Sequence, residues 1–401
     1  MPPRKAAASA SSSSTSKKVE KKQKRSPSPS SSPPAAAAVE SDLSELEEEP
    51  KKKKQKKAAT AVKKGPVTPI HSDLPNNTTF PDPLEPFPRP NTSEEGEGSL
   101  RISSWNVAGL KACKKKGFSK YVEAEDADIL CLNETKCDEL KLDSIDSRYP
   151  YRYWGIHHKK GQAGVAIFSK IKPLNVTKGI PPPPTPSSGE EETKELKEEE
   201  GEGEGEGVGV QKGPSQKESE GRIITLEFEN HYLIATYVPN AGQGLKNLAE
   251  KAAWNKSFET YLFSLDLVKP VIWIGDLNVV PTELDIRNWK TNYNKSAGVT
   301  DTEINGFNSQ LQGPRDRDGN GEEEKQKGFV DVWREKNEGV IGNYSYFSYK
   351  FQCRLKGIGW RIDMAIVSKR ILEKVKMCEI RQSIYGASDH VPIVIDIQGP
   401  L

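Results

Sequence analysis

The 401-residue chain has 59 basic and 57 acidic residues, so its net charge of +2 conceals separate basic and acidic blocks. Only 34% of the residues are hydrophobic, and 32 glycines and 29 prolines exclude a core built from the whole chain. Five irregularly spaced cysteines without a CxxC pair indicate free thiols and argue against zinc. No apolar run reaches the roughly 20 residues of a membrane span, so we expect no membrane partner.

Two stretches lack the apolar periodicity of packed elements. Residues 1–98 are rich in Ser, Ala, Lys and Pro, and residues 179–219 combine a proline run with Glu-rich and Gly-Glu repeats. We therefore predict a disordered N-terminal tail, followed by one folded domain over 99–401 that a disordered insertion interrupts. Such an insertion destabilises the domain little, because loop-closure entropy grows slowly with length.

Two lysine clusters stand out in the tail, at 17–25 and 51–57. Short basic runs of this kind are typical of nuclear targeting or nucleic-acid contact, although a merely solubilising charge run is the alternative. An N terminus rich in Ser, with Arg4 and Lys5 and no early acids, also resembles a transit peptide. We expect a nuclear protein, with a mitochondrial fraction as the second interpretation.

The remaining sequence alternates strand-like and helical segments. Strand signals occur, in chain order, in LRISSW, DILCL, GVAIFS, RIITLEF, HYLIATYV, VIWIGD, DMAIVS and PIVIDI. Residues 244–265 have apolar side chains at near-helical spacing and predict a helix. Only Glu229 and Asn230 separate two of the strands, which predicts an antiparallel hairpin. This excludes a purely parallel sheet and favours sheets packed on each other with outer helices.

Predicted strands repeatedly end in side chains that can bind metal or phosphate. They are Asn106, Glu134, Tyr237, Asn240, Asp276, Asn278, Asp363, Asp389 and His390. Each alone is a weak signal, because Asn and Asp often form turns at strand ends. Oxygen ligands without cysteine suit Mg²⁺, which binds one or two carboxylates, waters and a substrate phosphate. Phosphodiester hydrolysis also needs a group that activates water and donors that stabilise charge on the phosphate oxygens, and this set supplies both.

Seven strings between residues 101 and 393 carry a family resemblance. They are RISSWNVAGLKA, DILCLNETKC, GRIITLEF, ATYVPNAGQGL, GDLN, GWRID and SDHVPI. The chain resembles the exonuclease III family of apurinic/apyrimidinic (AP) endonucleases, in its eukaryotic nuclear branch. The motifs NET, GDLN and SDH alone would indicate only the wider endonuclease/exonuclease/phosphatase superfamily, whereas LNETKC, YVPNAG and GWRID narrow the resemblance.

The resemblance implies an α/β fold, a four-layer sandwich in which two packed mixed β-sheets are flanked by helices. It implies that Glu134 is the principal metal carboxylate, assisted by Asn106 and Asp389, with Mg²⁺ as cofactor and Mn²⁺ as a substitute. Asp276 is similar to the residue that activates or positions the attacking water, and Asn278 to a neighbour that contacts phosphate.

The same resemblance assigns the remaining strand-end residues to the substrate. His390 would contact the scissile phosphate and be oriented by Asp363, while Tyr237 and Asn240 would contact the phosphate or assist the leaving group. An apolar pocket for a flipped-out sugar without its base is implied at Tyr346, Trp360 and Ile362. From the residues alone, core packing is the competing interpretation of the two aromatic side chains.

Four positions depart from the family pattern. Ala108 stands where relatives usually carry Asp or Asn, which puts a second metal position in doubt. Gln243 and Lys350 stand where relatives insert Arg and Met into the DNA grooves, and Gln162 stands where some carry Tyr. We therefore expect penetration of the DNA to differ from that of relatives.

The expected activity is Mg²⁺-dependent hydrolysis of the phosphodiester 5′ to an abasic site in double-stranded DNA, within base excision repair. We further expect 3′-phosphodiesterase and 3′–5′ exonuclease activities, a monomer, and contacts of other repair proteins with the tail. Two alternatives stay open. One is another branch of the superfamily, such as a phosphoinositide phosphatase or an RNA-directed nuclease, and the other is a catalytically inactive nuclear scaffold, which Ala108 alone supports.

Overall fold

The computed structural model describes residues 74–75, 77–89, 98–142, 144–181, 219, 221–312 and 328–399. Both lysine clusters, the other residues of 1–73 and nearly all of the insertion predicted at 179–219 lie outside the described residues. In the part of the chain that is described, no helix is long and apolar enough to cross a membrane.

Twelve strands are formed by the described residues. They are β1 Ser99–Asn106, β2 Ile129–Asn133, β3 Tyr151–Gly155, β4 Val165–Ser169, β5 Asn175–Lys178, β6 Ile223–Glu227, β7 Tyr232–Tyr237, β8 Val271–Asp276, β9 Phe329–Asp331, β10 Asp363–Ser368, β11 Val375–Ile380 and β12 Ile393–Gln398. The helices are α1 Leu110–Lys114, α2 Phe118–Glu125, α3 Ser144–Arg148, α4 Leu248–Asp266, α5 Trp289–Asn292, α6 Asp301–Gln312 and α7 Val332–Lys336. Short 3-10 helices cover Gln243–Leu245, Glu283–Asp285, Lys350–Gln352 and Lys369–Lys374.

The strands form two six-stranded mixed sheets. The first has the order β11-β12-β1-β2-β4-β3, and the second has the order β5-β6-β7-β8-β10-β9. One central pair in each sheet is parallel, β1 with β2 and β7 with β8. The predicted hairpin is present as the antiparallel pair β6 and β7. Two mixed sheets with outer helices confirm the predicted four-layer fold.

Strand periodicity explains the layers. In β2, Ile129 and Cys131 face the second sheet and join a core that also contains Leu233 and Ile274. The alternate residues of β2 face the other way and pack with α1, α2 and α3. Successive strand side chains point to opposite faces, so a strand covered on both faces is apolar throughout. On the outer face of the second sheet, α4 and α6 cover Trp273 in the same manner.

Residues 77–89, which we name the strap, differ from the sequence-based expectation. The sequence predicted a disordered tail up to residue 98, but the strap packs Phe80 and Phe87 against the core under α1 and α2. The Phe87 N–H donates to the Ala124 carbonyl at 2.9 Å, and Arg101 donates to the Pro88 carbonyl at 2.8 Å. The apolar residues of the strap are few and lie far apart among prolines, so the composition of the segment did not indicate that it packs on the core. The folded part therefore begins before residue 99.

Candidate active site

The predicted strand-end residues meet at one edge of the two sheets. Parallel β1 and β2 end at Asn106 and Asn133, with Glu134 next, and parallel β7 and β8 end at Tyr237 and Asp276. Strand β10 runs antiparallel to β8, so its first residue, Asp363, lies at the same edge and pairs with Asp276 in register. The topology thus gathers side chains that are far apart in the sequence.

Asp276 is buried between the sheets. The Asn106 Nδ2 of the first sheet donates to Asp276 Oδ2 at 2.9 Å, and the Asn278 N–H donates to Asp276 Oδ1 at 2.9 Å. Gly275 precedes it because a Cβ there would lie 2.1 Å from the Thr236 carbonyl oxygen. Burial and the charge of Asp363 raise the pKa of Asp276 to about 7, against the opposing effect of His390. A carboxylate with this pKa can accept a proton near neutral pH.

His390 and Asp363 form a buried pair, with 2.8 Å between His390 Nδ1 and Asp363 Oδ2. Burial alone would lower the pKa of His390, but the Asp363 carboxylate and its hydrogen bond raise it to about 10. The imidazole is therefore protonated at neutral pH. Among the described residues, no group forms a hydrogen bond with Asp363 Oδ1, although that atom is buried. Only Oδ2 of Asp363 thus takes part in orienting the His390 imidazole.

Glu134 lies at the mouth of the site with a left-handed backbone, φ +54°. Tyr237 Oη donates to Glu134 Oε1 at 2.9 Å, and Lys136 Nζ lies 3.1 Å from the same oxygen. Burial, and after it the charge of Glu134, raises the pKa of Tyr237, so the phenol remains a donor. Left-handed non-glycine residues are strained and are concentrated at functional sites.

Asp389 completes the acidic side of the site. Burial raises the pKa of its carboxyl group, His390 opposes this, and the negative charge of Glu134 adds to it. Two carboxylates that repel each other fit a cation, and Asn106 adds an amide oxygen that accepts the Ala108 N–H at 2.9 Å. Oxygen donors of this kind match a hard divalent cation. The residues predicted as metal ligands therefore suit that role chemically.

A second group also has metal-binding geometry. Ligand atoms of Asp276, Asp363 and His390 lie within 4.8 Å of one another. However, His390 Nδ1 and Asp363 Oδ2 already bind each other, and both oxygens of Asp276 accept hydrogen bonds. Because these atoms already form hydrogen bonds, we interpret the group as a set of hydrogen-bonded side chains rather than as a metal site.

Asn240 and Asn278 form an amide pair beside Asp276. Asn240 Nδ2 donates to Asn278 Oδ1 at 3.0 Å, and Asn278 Nδ2 donates to the Val238 carbonyl at 2.8 Å. Lys251, which forms a buried ion pair of 2.7 Å with Glu303, also donates to the Asn278 carbonyl at 2.5 Å and so supports this loop. Sequence reasoning missed Lys251, because a lysine in a helix carries no signal of burial.

Sequence reasoning also missed two cations near Tyr237. Lys136 is part of the string LNETKC, two residues after Glu134, so that string already contained a signal. The guanidinium of Arg222 lies 5.2 Å from the centroid of the Tyr237 ring. Both bring positive charge to the edge of the acidic site, as binding of a phosphate backbone requires.

The three predicted pocket residues lie together. Tyr346, Trp360 and Ile362 belong to one buried cluster and are 3%, 3% and 2% exposed. Tyr346 and Trp360 exchange two backbone hydrogen bonds of 2.9 and 3.0 Å. The ring of Tyr346 lies 4.8 Å from the imidazole of His390, measured between centroids. The cluster therefore adjoins the Asp363–His390 pair.

The four departures from the family pattern lie in loops and short helices. Ala108 has a left-handed backbone, φ +46°, and its N–H binds the side chain of Asn106. Gln243 and Lys350 each begin a 3-10 helix. The Gln162 N–H donates to the Lys159 carbonyl at 3.2 Å in the loop before β4. At Ala108 the side chain offers no metal ligand, so any second cation would need other residues.

A sequence profile described as the Endonuclease/Exonuclease/phosphatase family matches residues 103–390. The chain therefore belongs to this family, as its sequence predicted. It is 36% identical over 307 residues to the DNA-(apurinic or apyrimidinic site) endonuclease of Dictyostelium discoideum, covering 75% of this chain and 72% of that protein. It is 36% identical over 321 residues to the DNA repair nuclease APEX1 of Danio rerio, covering 79% and 87%. These relatives confirm the resemblance to AP endonucleases.

The fold is similar to that of a solved AP endonuclease, LMAP from Leishmania major. The TM-score is 0.57 at 23% identity, with 79% of this chain and 93% of that chain covered. This likeness supports the two-sheet architecture.

Proposed function

We propose that this protein is an AP endonuclease of base excision repair that hydrolyses the phosphodiester 5′ to an abasic site in double-stranded DNA. The proposal rests chiefly on two neighbouring residues, Asp276 and His390, whose pKa values differ. Asp276, with a pKa of about 7, and His390, with a pKa of about 10, have ligand atoms within 4.8 Å of each other. One group can accept a proton while the other remains a cation, as in-line attack on a phosphodiester needs.

In the proposed reaction, deprotonated Asp276 orients the attacking water and takes its proton. Protonated His390, fixed by Asp363, stabilises negative charge on the phosphate oxygens. Asn240 and Asn278 bind the phosphate by their amides. A charged donor that is already in position stabilises the negative charge more strongly in a buried site than in water, because the dielectric constant of the site is lower.

Tyr237 serves the other end of the scissile bond in this proposal, as a donor close to the leaving oxygen. Glu134, Asp389 and Asn106 would hold Mg²⁺, with Mn²⁺ as a substitute. The cation would supply Lewis-acid stabilisation of the charge that develops on the phosphate. The same residues would serve the 3′-phosphodiesterase and 3′–5′ exonuclease activities, because all three reactions break a phosphodiester.

Specificity is proposed to arise at the cluster of Tyr346, Trp360 and Ile362 beside His390. Extruding a nucleotide into the protein costs a few kcal/mol, and least at a damaged position where no base is paired or stacked. An apolar wall that fits bare deoxyribose would exclude a normal nucleotide. Affinity for the backbone would come from cations such as Lys136 and Arg222 and would fall with added salt.

We further propose a monomer that acts in the nucleus and in part in mitochondria. The nuclear part of this proposal is supported by the two lysine clusters at 17–25 and 51–57, which are typical of nuclear address signals. The same tail would offer contacts to other repair proteins.

The test is incision of a DNA duplex with a single tetrahydrofuran abasic analogue, with Mg²⁺ and with EDTA. We expect one cut on the 5′ side of the analogue, leaving a 3′-hydroxyl, which EDTA abolishes and Mn²⁺ restores. The matched control is the same duplex with an ordinary nucleotide. Equal cutting of both duplexes, or release of phosphate from an inositol phosphate instead, would contradict the proposal.

A further inference from the structure

The first residue of the strap, Asn77, forms hydrogen bonds with loops close to the site. Asn77 Nδ2 donates to the Ser383 carbonyl at 2.9 Å, and Arg354 Nη2 donates to Asn77 Oδ1 at 3.2 Å. Asn77 therefore joins the strap to two loops at once, the loop of Arg354 after β9 and the loop that follows β11.

Arg354 is a buried cation, only 4% exposed. Its guanidinium lies 4.4 Å from the Phe347 ring centroid and 5.0 Å from that of Tyr385. It also donates to both oxygens of Gln382. Within the described ranges no carboxylate forms a salt bridge with it, and its Nε lacks a partner. Its charge is thus stabilised by rings and neutral oxygens, so the oxygen of Asn77 is a substantial part of what holds it.

The rings around Arg354 connect directly to the catalytic loop. Tyr385 Oη donates to the Phe347 carbonyl at 3.1 Å, and the Phe347 N–H donates to the Asp389 carbonyl at 2.8 Å. One residue past His390, the Val391 N–H donates to the Ser345 carbonyl at 2.7 Å. The backbone on both sides of His390 is therefore fixed by the segment that contains Phe347.

A second contact of the strap supports the same loop. A Cβ at Gly386 would lie 2.6 Å from the Phe80 backbone nitrogen, and a Cβ at Gly117 would lie 2.5 Å from the Phe80 ring. Both glycines have left-handed backbones, φ +102° and +131°. The strap therefore packs directly on the backbone of Gly386, three residues before Asp389.

We propose that the strap positions Asp389 and His390 through Arg354, with Asn77 as the positioning residue. This rests on the proposed function for its kinetic readout only. Loss of the Asn77 side chain leaves a buried guanidinium without one of its acceptors and removes the tie to Ser383. The Arg354 side chain then shifts between its two rings, and the backbone on either side of His390 loses its fixed position.

The experiment compares full-length Asn77→Ala with Arg89→Gln. Arg89 is the matched control, because it anchors the far end of the strap by a salt bridge of 2.9 Å to Asp128 and contacts none of the catalytic loops. We expect Asn77→Ala to lower kcat on the abasic duplex about tenfold, the factor that corresponds to losing one hydrogen bond to a charged group. KM should change less than twofold. Arg89→Gln should lower the melting temperature but leave kcat unchanged.

A double-mutant cycle with Arg354→Lys tests the route. Lysine keeps the charge but loses the fork that binds Asn77 and Gln382, so the double variant should be little slower than Arg354→Lys alone. Losses in kcat that add in full would overturn the route through Arg354. A normal kcat in Asn77→Ala, with a melting temperature lowered as in Arg89→Gln, would show that the strap only stabilises the fold.

A readout without substrate separates this inference from the proposed function. Hydrogen exchange of peptides that span 344–354 and 381–391 should become faster in Asn77→Ala and stay unchanged in Arg89→Gln. If the wild-type protein does not cut the abasic duplex, the proposed function fails, whereas the exchange result still decides the positioning role. Unchanged exchange in both peptides would overturn it.

Discussion

At the scale of single residues, the pKa values of Asp276 and His390 are both raised, but for different physical reasons. The pKa of Asp276 rises because its carboxylate is buried beside another carboxylate, while that of His390 rises because Asp363 outweighs its burial. Near neutral pH the Asp276 carboxylate can therefore accept a proton while His390 is still a cation. Asp363 contributes to both shifts, so it is the residue on which the division of roles depends.

The first prediction separates Glu134 from Asp276. Both Glu134→Ala and Asp276→Ala should cripple incision, the first by loss of a cation ligand and the second by loss of the group that takes the proton from water. Raising Mg²⁺ should partly restore only Glu134→Ala, because mass action can offset weaker binding but cannot replace a base. The measurement is the incision rate against Mg²⁺ concentration. Equal rescue of both variants would refute the assignment.

The second prediction concerns the buried pair. His390→Asn should raise the barrier by about 3 kcal/mol, the scale seen when a donor that stabilises transition-state charge is removed. Asp363→Asn should act in the same direction. Because the two residues work as a unit, the double variant should be little worse than the slower single variant. Single-turnover rates on prebound duplex measure this, with binding of uncut DNA as the control. Full additivity would show that the residues act independently.

At the scale of elements, the sequence predicted the central strands well and the edge strands poorly. Strands such as β2 and β8 are buried at every position, because they are covered on both faces. In contrast, the edge strand β5, Asn175–Lys178, has only partly buried or exposed residues. It forms through backbone pairing with β6, which leaves no hydrophobic pattern to detect. The other three edge strands, β3, β9 and β11, were not predicted either.

The third prediction concerns the strap. Deleting residues 1–73 should leave the free energy of unfolding unchanged. Deleting residues 1–89 should lower it by roughly 2–4 kcal/mol, because the apolar contacts of Phe80 and Phe87 are lost. Both side chains are partly buried, so each contributes less than the about 1.5–3 kcal/mol of a fully buried one. Arg101 would also lose two carbonyl acceptors. Urea unfolding of the two truncations measures the difference. Equal stability would mean that the strap is not part of the folded unit.

At the scale of the whole molecule, the sequence predicted side chains that the structure brings together at one edge of the sheets, but not the contacts among them. Asn106, Glu134 and Asp276 lie at or directly after the ends of strands that end at the same edge. That they share one site was expected only from the family resemblance, because the strand pattern does not give the order of the strands. Contacts between the sheets were not predictable. The Asn106 amide spans the sheets to bind Asp276, and the contact of the Tyr346 ring with His390 depends on how two loops fold over the edge.

The last prediction concerns stability at acidic pH, and it arises at the β6–β7 turn. His231 is buried there against the ring of Phe228, with 4.8 Å between ring centroids. Burial, and after it the charge of Lys269, lowers the pKa of His231 to about 4 from 6.5. Between these two values the unfolded chain binds a proton that the folded chain does not. The folded state must therefore lose stability as the pH falls through 6.5.

The expected size follows from the shift: between pH 7 and pH 5, His231 should remove about 2 kcal/mol from the free energy of unfolding. His231→Phe keeps a ring against Phe228 and cannot titrate, so its stability should fall by about 2 kcal/mol less over the same interval. Among the described residues nothing binds His231 Nε2, so phenylalanine sacrifices no hydrogen bond at that atom. Urea unfolding of both proteins at the two pH values measures this double difference, in which the titration of His390 and of the carboxylates cancels. If both proteins lose the same stability, His231 is protonated in the folded state and the buried neutral imidazole at the β6–β7 turn must be given up.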